Sequence, residues 1–357
     1  MEYSDDPLAA AEDLIAQGRA HEAARALRAR LAEGRGGALA RAVLVKALLA
    51  SNDVEGALAE AREAVSLNPQ LPLCLVSLGE ALLAAENLPA AIAELQRALR
   101  LDPDDAAARF LVGRAWTEAG EADKALEIFR SLDPALPQVA EWKARAQAIL
   151  TAPRSDPGYV RHLFDQFSAD YDTRMRAALA YAAPEILEAL AGVVMPGQGD
   201  LRILDLGCGT GLAGEVFRSR AKVLDGVDLS PAMIAAAGAK KIYDHLAVGD
   251  IETALSEAGP KYDLILAADT LVYLGDLGLL LKGVRCRLEP DGYFLFTVEA
   301  GTEDFALGPK RRWRHGEDYL RRAAAKAGFA VAGLVAASPR QEAQAPVDGL
   351  AVAFMAI

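Results

Sequence analysis

Along the first 150 residues apolar positions recur with a helical step, and the whole pattern then repeats. Ala23, Ala57, Ala91 and Ala125 are each 34 residues apart, as are Gly79 and Gly113, and Pro69, Pro103 and Pro137. Within 72–105, Leu75, Leu78, Gly79 and Leu82 follow three- and four-residue steps, and Ala91, Leu95 and Ala98 do so again before Pro103. Such spacing lines one face of a helix. Each unit therefore reads as two helices, with small residues where they pack closely and a proline stopping the second. From residue 200 onward the pattern changes to short apolar runs at 202–206, 222–227, 245–248, 262–268, 293–298, 329–336 and 350–357, alternating with helix-like segments. That alternation predicts a mainly parallel sheet covered by helices on both faces, with ligands at the carboxyl ends of the strands.

The repeated half resembles the tetratricopeptide (TPR) repeat, whose pattern of small residues and a final proline returns in three units, 38–71, 72–105 and 106–139. A degenerate unit covers 4–37, keeping Ala23 and Leu27 but with Arg35 in place of the proline, and 140–150 reads as a closing helix. The resemblance implies an all-α solenoid over 1–150 that binds a protein partner or self-associates, or else serves as a cover for the other domain. Its helices are mostly alanine and leucine, so a basic clamp for carboxylate tails is not indicated.

The stretch 151–158, Thr-Ala-Pro-Arg-Ser-Asp-Pro-Gly, reads as a linker. Beyond it, Phe164, Phe167 and Tyr171 form one aromatic stripe at helical spacing. A stripe of this kind is equally core packing. The segment also resembles the Phe-Asp-x-x-Ala-x-x-Tyr-Asp opening of many small-molecule methyltransferases, with Ser168 and then Ala169 at the alanine position. By that resemblance the helices of 159–195 close over a cofactor, and Tyr159 and Tyr171 line its pocket.

Between two of the predicted elements, Asp205-Leu-Gly207-Cys-Gly209-Thr-Gly211 carries an apolar strand into three alternate glycines and a helix. Glycine lets the backbone turn tightly and approach a ligand closely. A dinucleotide fingerprint would need glycine at 212, where Leu212 stands. The next strand ends Gly-Val-Asp228-Leu-Ser-Pro, where an acidic residue can accept both hydroxyls of a ribose and Ser230-Pro231 can cap the following helix. These segments, with Gly249-Asp250-Ile251, Ala268-Asp269 and Glu289-Pro-Asp-Gly292 in order, resemble class I S-adenosylmethionine (SAM) methyltransferases. The resemblance implies a Rossmann-like domain over 159–357 with its core at 200–357 and a mainly parallel seven-stranded sheet. It also implies SAM as cofactor, S-adenosylhomocysteine as product, and a cofactor set of Asp205, Gly207, Cys208, Gly209, Gly211, Asp228, Leu229, Met233, Asp250, Ile251 and Ala268. Asp250 would meet the adenine amino group and Ile251 its ring.

Several of these residues have a plainer reading beside the functional one. Asp205 can brace the glycine turn as well as face ligand, and Cys208 fits a small apolar filler better than a nucleophile. Asp269 is near the point of transfer or is a solvated strand-end carboxylate. Tyr273 follows it on the acceptor side. Only four histidines are present, and His315 follows the fifth strand, on a loop and helix start where such enzymes contact substrate. His315 is thus the base or substrate anchor, or a packing histidine, with Arg311, Arg314 and Tyr319 as neighbouring acceptor contacts. Nearly the whole chain resembles predicted TPR-containing bacterial methyltransferases.

Composition narrows the remaining choices. The net charge of −12 is spread over both halves, 16 basic against 23 acidic residues in 1–153 and 22 against 27 in the rest, so neither half reads as a nucleic-acid binder. The run Lys310-Arg-Arg-Trp-Arg, short and set in an acidic domain, suits an anionic small substrate as well as RNA. Cys74, Cys208 and Cys286 are scattered and make no metal or disulfide pattern, the carboxylates suggest no metal site, and the acidic amino terminus resembles no export signal. No apolar run is long enough to span a bilayer. These features predict a cytoplasmic enzyme transferring methyl groups to a small molecule, with a polypeptide recruited by the repeats as the alternative acceptor.

Overall fold

The structure, a computed structural model, describes residues 6–165, 171–308, 311–342 and 344–357. Phe167, Ser168 and Ala169 of the aromatic segment and Lys310 of the basic run lie outside the described residues. The chain divides into two compact units, Met1–Thr151 and Ala152–Ile357.

The first unit is helical: α1 (Pro7–Ala16), α2 (Ala20–Ala32), α3 (Gly37–Ala50), α4 (Val54–Leu67), α5 (Pro72–Ala84), α6 (Leu88–Leu101), α7 (Ala106–Glu118), α8 (Ala122–Phe129) and α9 (Pro137–Thr151). Consecutive helices pack on one another, and α9 lies against α8 and α7. The 34-residue periodicity is a packing requirement. A side chain at Gly79 would run into Leu95, and one at Gly113 into the ring of Phe129. Ala23, Ala57, Ala91 and Ala125 have no exposed surface, since the alanines let neighbouring backbones approach. Pro69 and Pro103 follow the ends of α4 and α6 as stop signals, whereas Pro137 opens α9 at its first position, where a missing N–H costs nothing.

The second unit begins with α10 (Pro157–Asp165), α11 (Tyr171–Ala178) and α12 (Ala183–Val194), then alternates β1 (Leu201–Leu206), α13 (Leu212–Phe217), β2 (Ala221–Asp228), α14 (Pro231–Lys240), β3 (His245–Val248), α15 (Ile251–Ser256), β4 (Tyr262–Ala267) and α16 (Gly278–Arg287). It continues with β5 (Leu288–Gly301), β6 (Phe305–Leu307), β7 (Trp313–Gly316), α17 (Glu317–Ala327), β8 (Phe329–Ala337), the short pair β9 (Gln341–Glu342) and β10 (Ala345–Pro346), and β11 (Gly349–Ala356). Among the described residues the main sheet has nine strands. Seven follow the order β3-β2-β1-β4-β5-β11-β8, with β11 antiparallel to both neighbours, while β7 runs parallel to the far end of β5 and carries β6. The order reverses between β1 and β4, which opens a crevice at their carboxyl ends.

The sheet is covered on both faces. In β5 the two-residue period sends Phe294, Phe296 and Val298 to the face under α15, α16 and α17, and Leu295 to the opposite face. On that opposite face Leu187, Leu190 and Ala191 of α12 share a core with Leu201 and Ile203 of β1 and Leu264 of β4. No helix among the described residues is long and apolar enough to cross a membrane.

Three expectations change. The sheet gains β6 and β7, the stretch around His315 having been read as a loop and helix start, because strands of three and four residues carry too short an alternation to stand out. The helix α12, read as part of a lid over 159–195, is a sheet cover, because its apolar face is wide enough to be buried there. The stretch 151–158, read as a linker, is largely built into the second unit. The carbonyl of Pro153 accepts from the N–H groups of Gly275 and Asp276 at 2.9 and 3.1 Å, Ser155 N–H donates to the Tyr273 carbonyl at 2.8 Å, and Pro157 starts α10.

Candidate active site

The glycine turn leaves β1 at the crevice. Gly207, Gly209 and Gly211 all have positive φ, 68°, 54° and 93°. A Cβ at Gly207 would strike Thr270 and one at Gly211 would press on Tyr243, so these two glycines are required by packing. A Cβ at Gly209 would meet nothing within 4 Å. Its φ and that open space leave a backbone cradle facing a cavity of about 250 Å3 at the strand tips. Beneath the turn, Asp205 accepts from the Tyr243 hydroxyl at 2.7 Å, and burial pushes its carboxyl up to about 7 against that hydrogen bond. One Asp205 oxygen, Oδ1, is buried without a partner. Asp205 and Cys208 line a smaller adjoining cavity with Thr210, Tyr171 and Tyr181. Burial also pushes the Cys208 thiol up, which suits a filler and not a nucleophile.

At the tip of β2, Asp228 Oδ2 accepts from Gly209 N–H at 2.9 Å and Oδ1 from Ser230 N–H at 2.8 Å. Burial raises its pKa while those two donors oppose the rise. Ser230 caps α14 by accepting from Met233 N–H at 3.1 Å, with Pro231 next. Leu229 lines the cavity beside Asp228. Past β3, Asp250 Oδ1 accepts from the N–H groups of Glu252 and Thr253, and Oδ2 receives Arg154 Nη2 at 2.5 Å. Arg154 also holds Glu252. Burial alone would raise Asp250, yet the Arg154 guanidinium holds it below the usual carboxylate range. Arg154 and Ile251 both line the cavity, so a residue from the stretch read as linker forms part of this wall.

The other end of the cavity lies past β4. Ala268, Asp269, Thr270 and Tyr273 line it, with Arg312 entering before β7. Asp269 Oδ1 receives Arg340 Nη1 at 2.5 Å, and burial, opposed by Arg340, brings the carboxyl up to about 7. Arg340 is itself only 1% exposed and also binds Glu299 and Glu342. Val160, Leu163 and Phe164 of α10 and Tyr171 and Met175 of α11 supply an apolar roof. The Phe164 ring meets those of Tyr171 and Tyr273 edge-on at 6.0 and 5.7 Å. Three side-chain contacts hold this roof down: Asp165 receives the Ser230 hydroxyl, and Asp172 receives the Thr210 hydroxyl and pairs with Lys240 Nζ.

Several expected residues stand elsewhere. His315 has no exposed surface and is not among the residues lining the cavity; its Nε2 pairs with the Gly275 carbonyl at 2.9 Å, its ring stacks on Tyr319, and burial pushes it down to about 4. The base-or-anchor reading is thereby corrected to the packing one, because a neutral imidazole sealed in β7 reaches no acceptor. Tyr319 donates to Asp276 at 2.9 Å and accepts from Leu277 N–H at 2.7 Å, a core role. Arg314 lies 3.6 Å from Glu299, and the Arg311 guanidinium lies 4.9 Å over the Tyr159 ring. Neither they nor Tyr159 line the cavity, whereas Arg312 does. Met233 is fully buried and Gly211 packs against Tyr243, and neither lines the cavity. Arg312 lies within the basic run that suits an anionic substrate, though it was not singled out there, whereas Arg154, Tyr181 and Arg340 were missed because single arginines and tyrosines outside a motif carry no positional signal.

A methyltransferase-domain family model matches residues 167–333, and a tetratricopeptide-repeat model matches 8–72 and 76–140. The chain is similar to the ubiquinone biosynthesis O-methyltransferase of Bradyrhizobium diazoefficiens, 35% identical over 112 residues, which is 30% of this chain and 44% of that protein. It is also similar to the malonyl-[acyl-carrier protein] O-methyltransferase of Serratia marcescens, 32% identical over 150 residues, 41% of this chain and 58% of that protein. The chain thus spans about half the length of these curated relatives. A solved structure, Burkholderia thailandensis 1,6-didemethyltoxoflavin-N1-methyltransferase with bound 1,6-didemethyltoxoflavin and S-adenosylhomocysteine, is 20% identical with a TM-score of 0.45, covering 57% of this chain and 92% of that one. The two models match in order, tetratricopeptide repeats over the first unit and a methyltransferase domain over most of the second.

Proposed function

We propose that this protein transfers a methyl group from SAM to a small-molecule acceptor bound under α10 and α11. The observation that carries this reading is the continuous cavity that joins the glycine turn and Asp228 at one end to Asp269, Tyr273 and an apolar roof at the other. Such an interior suits a compact, largely apolar acceptor. The two curated relatives are O-methyltransferases by name, which agrees with it.

The residues fit the cofactor. The open face of Gly209 leaves room for the amino-acid end, with the unpartnered Asp205 oxygen close behind the turn. Each Asp228 oxygen retains lone pairs for ribose hydroxyls beyond the single N–H it now accepts. Leu229 and Ile251 offer apolar surface to a purine beside Asp250. When bound, SAM supplies a methyl group already electrophilic at its sulfonium. The protein therefore has to orient the acceptor and exclude water, and the Phe164–Tyr171–Tyr273 cluster does both by walling the reacting end. Positioning of this kind contributes several kcal/mol to the barrier reduction.

We infer that the repeats serve self-association or a protein partner, since stacked helix pairs of this type leave an extended surface for binding. The test is methyl transfer from labelled SAM into an extract separated into small-molecule and macromolecular fractions. Label in the small-molecule fraction is expected; label confined to polypeptide would replace this reading with a protein methyltransferase served by the repeats. Calorimetry on Asp228→Ala should show S-adenosylhomocysteine binding weakened at least tenfold, and unchanged affinity would remove Asp228 from the ribose site.

A further inference from the structure

We propose that Asp269 is the catalytic base of the transfer, that Arg340 is its positioning residue, and that the acceptor is a hydroxyl on an aromatic or enolic carbon. This rests on the methyl-transfer reading above and adds to it the acceptor class and the destination of the proton.

Elimination along the cavity wall leads to Asp269. Three carboxylates line the cavity among the described residues, Asp228, Asp250 and Asp269. Asp228 stands at the glycine-turn end, each oxygen accepting a backbone N–H and its remaining lone pairs assigned to the ribose, and both oxygens of Asp250 are taken by N–H groups and Arg154. Asp269 differs. Its Oδ1 is clamped by Arg340, while Oδ2 has no hydrogen bond among the described residues. The tyrosines facing it, Tyr171, Tyr181 and Tyr273, are held protonated by burial, so none of them takes up a proton near neutrality. Arg312 is a permanent cation.

The backbone supports the same assignment. Asp269 is a non-glycine residue at φ 56°, a left-handed conformation held by the hydrogen bond from its N–H to Thr297 Oγ1 at 2.8 Å. Strain of this kind persists where surrounding structure overrides it, and such positions cluster at active sites. Arg340 fixes the side chain. Its three nitrogens serve three carboxylates, Asp269, Glu299 and Glu342, from a fully buried position. Burial and the two glutamates raise the Asp269 carboxyl while Arg340 restrains the rise, leaving it near 7, where a base works best at neutral pH.

The acceptor class follows from the proton. A neutral amine or a thioether needs no base, and a carboxylate acceptor is already ionised and has no proton to give up. A hydroxyl needs one. Its proton passes to Asp269 Oδ2, its oxygen lone pair forms the new C–O bond to the methyl carbon, and the C–S bond breaks with its electron pair left on sulfur as a neutral thioether. The protonated Asp269 then releases its proton to water. The roof of Val160, Leu163, Phe164 and Met175 favours an aromatic or unsaturated carbon frame, which also makes the hydroxyl acidic enough to surrender its proton.

The full-length chain labelled with 13C at aspartate carboxyls provides a readout independent of turnover. A carboxyl resonance titrating near neutrality, absent from Asp269→Asn, is expected; a midpoint below about 5, or no resonance lost, would overturn the assignment. Asparagine tolerates the same left-handed backbone, so this variant keeps the local conformation. In Arg340→Lys the midpoint should rise, because a point charge replaces the fork that holds Oδ1. Calorimetry should show S-adenosylhomocysteine affinity of Asp269→Asn within about threefold of the parent, whereas no binding by the parent itself would defeat the methyl-transfer reading and not the base. With the labelled small-molecule fraction, methyl ethers should form at a rate rising through about pH 7, and Asp269→Asn should lower kcat at least 100-fold. Methylation on nitrogen, sulfur, carbon or carboxylate, or full turnover by Asp269→Asn, would overturn the proposal.

Discussion

Two buried carboxyls and one buried imidazole give this domain a testable dependence on pH. Asp205 and Asp269 sit near 7 when folded against an ordinary value of 3.8, so between those limits the folded state holds more protons than the unfolded chain. The stability they contribute is fully present below about 4 and is lost as pH rises through 7. His315 acts in the opposite sense, at about 4 against 6.5, and its stability is lost as pH falls across that window. In Asp205→Asn, which keeps a partner for the Tyr243 hydroxyl, the loss of urea resistance between about pH 5 and pH 8 should shrink. An unchanged slope would show that Asp205 is ionised in the folded state. His315→Ala should cost about 2 kcal/mol through lost packing and the lost bond to Gly275, with S-adenosylhomocysteine affinity unchanged. A tenfold loss of affinity without loss of stability would return His315 to the site.

Among elements, α10 and α11 are tied to the parts that form the glycine-turn end of the cavity. The hydroxyls of Thr210, in the glycine turn, and Ser230, at the start of α14, bond to Asp172 and Asp165 on the roof. Opening the roof therefore breaks contacts to the glycine turn and to the start of α14. Thr210→Val keeps the shape and removes the bond, worth about 1 kcal/mol, so dissociation of S-adenosylhomocysteine in stopped flow should quicken about fivefold. An unchanged rate would mean that the roof does not gate release.

For the molecule as a whole, the boundary after Thr151 separates two units with their own cores, yet Arg154, just past it, belongs to the cavity wall. A chain starting at residue 152 should fold and bind S-adenosylhomocysteine like the full protein. One starting at residue 157 leaves Asp250 and Glu252 without their cation, and calorimetry should show affinity about tenfold weaker. Equal affinity for the two would make Arg154 a surface ion pair only.

The repeat period, the strand tips and the glycine turn were legible because they rest on local rules. Helical spacing, the positive φ of Gly207 and the cap at Ser230 are each set by a few neighbouring residues, so the chain alone determined the two-part architecture and the glycine-turn end of the cavity. The opposite end of the cavity was decided by tertiary structure. His315 looked reactive by type and position, and only the packing of β7 beside β5 showed it sealed against Gly275. Arg340 lies 71 residues from Asp269 and Arg154 lies 96 from Asp250 in sequence. No periodicity links such partners, because a buried charge finds its counterion through the folded sheet and not through the neighbouring chain.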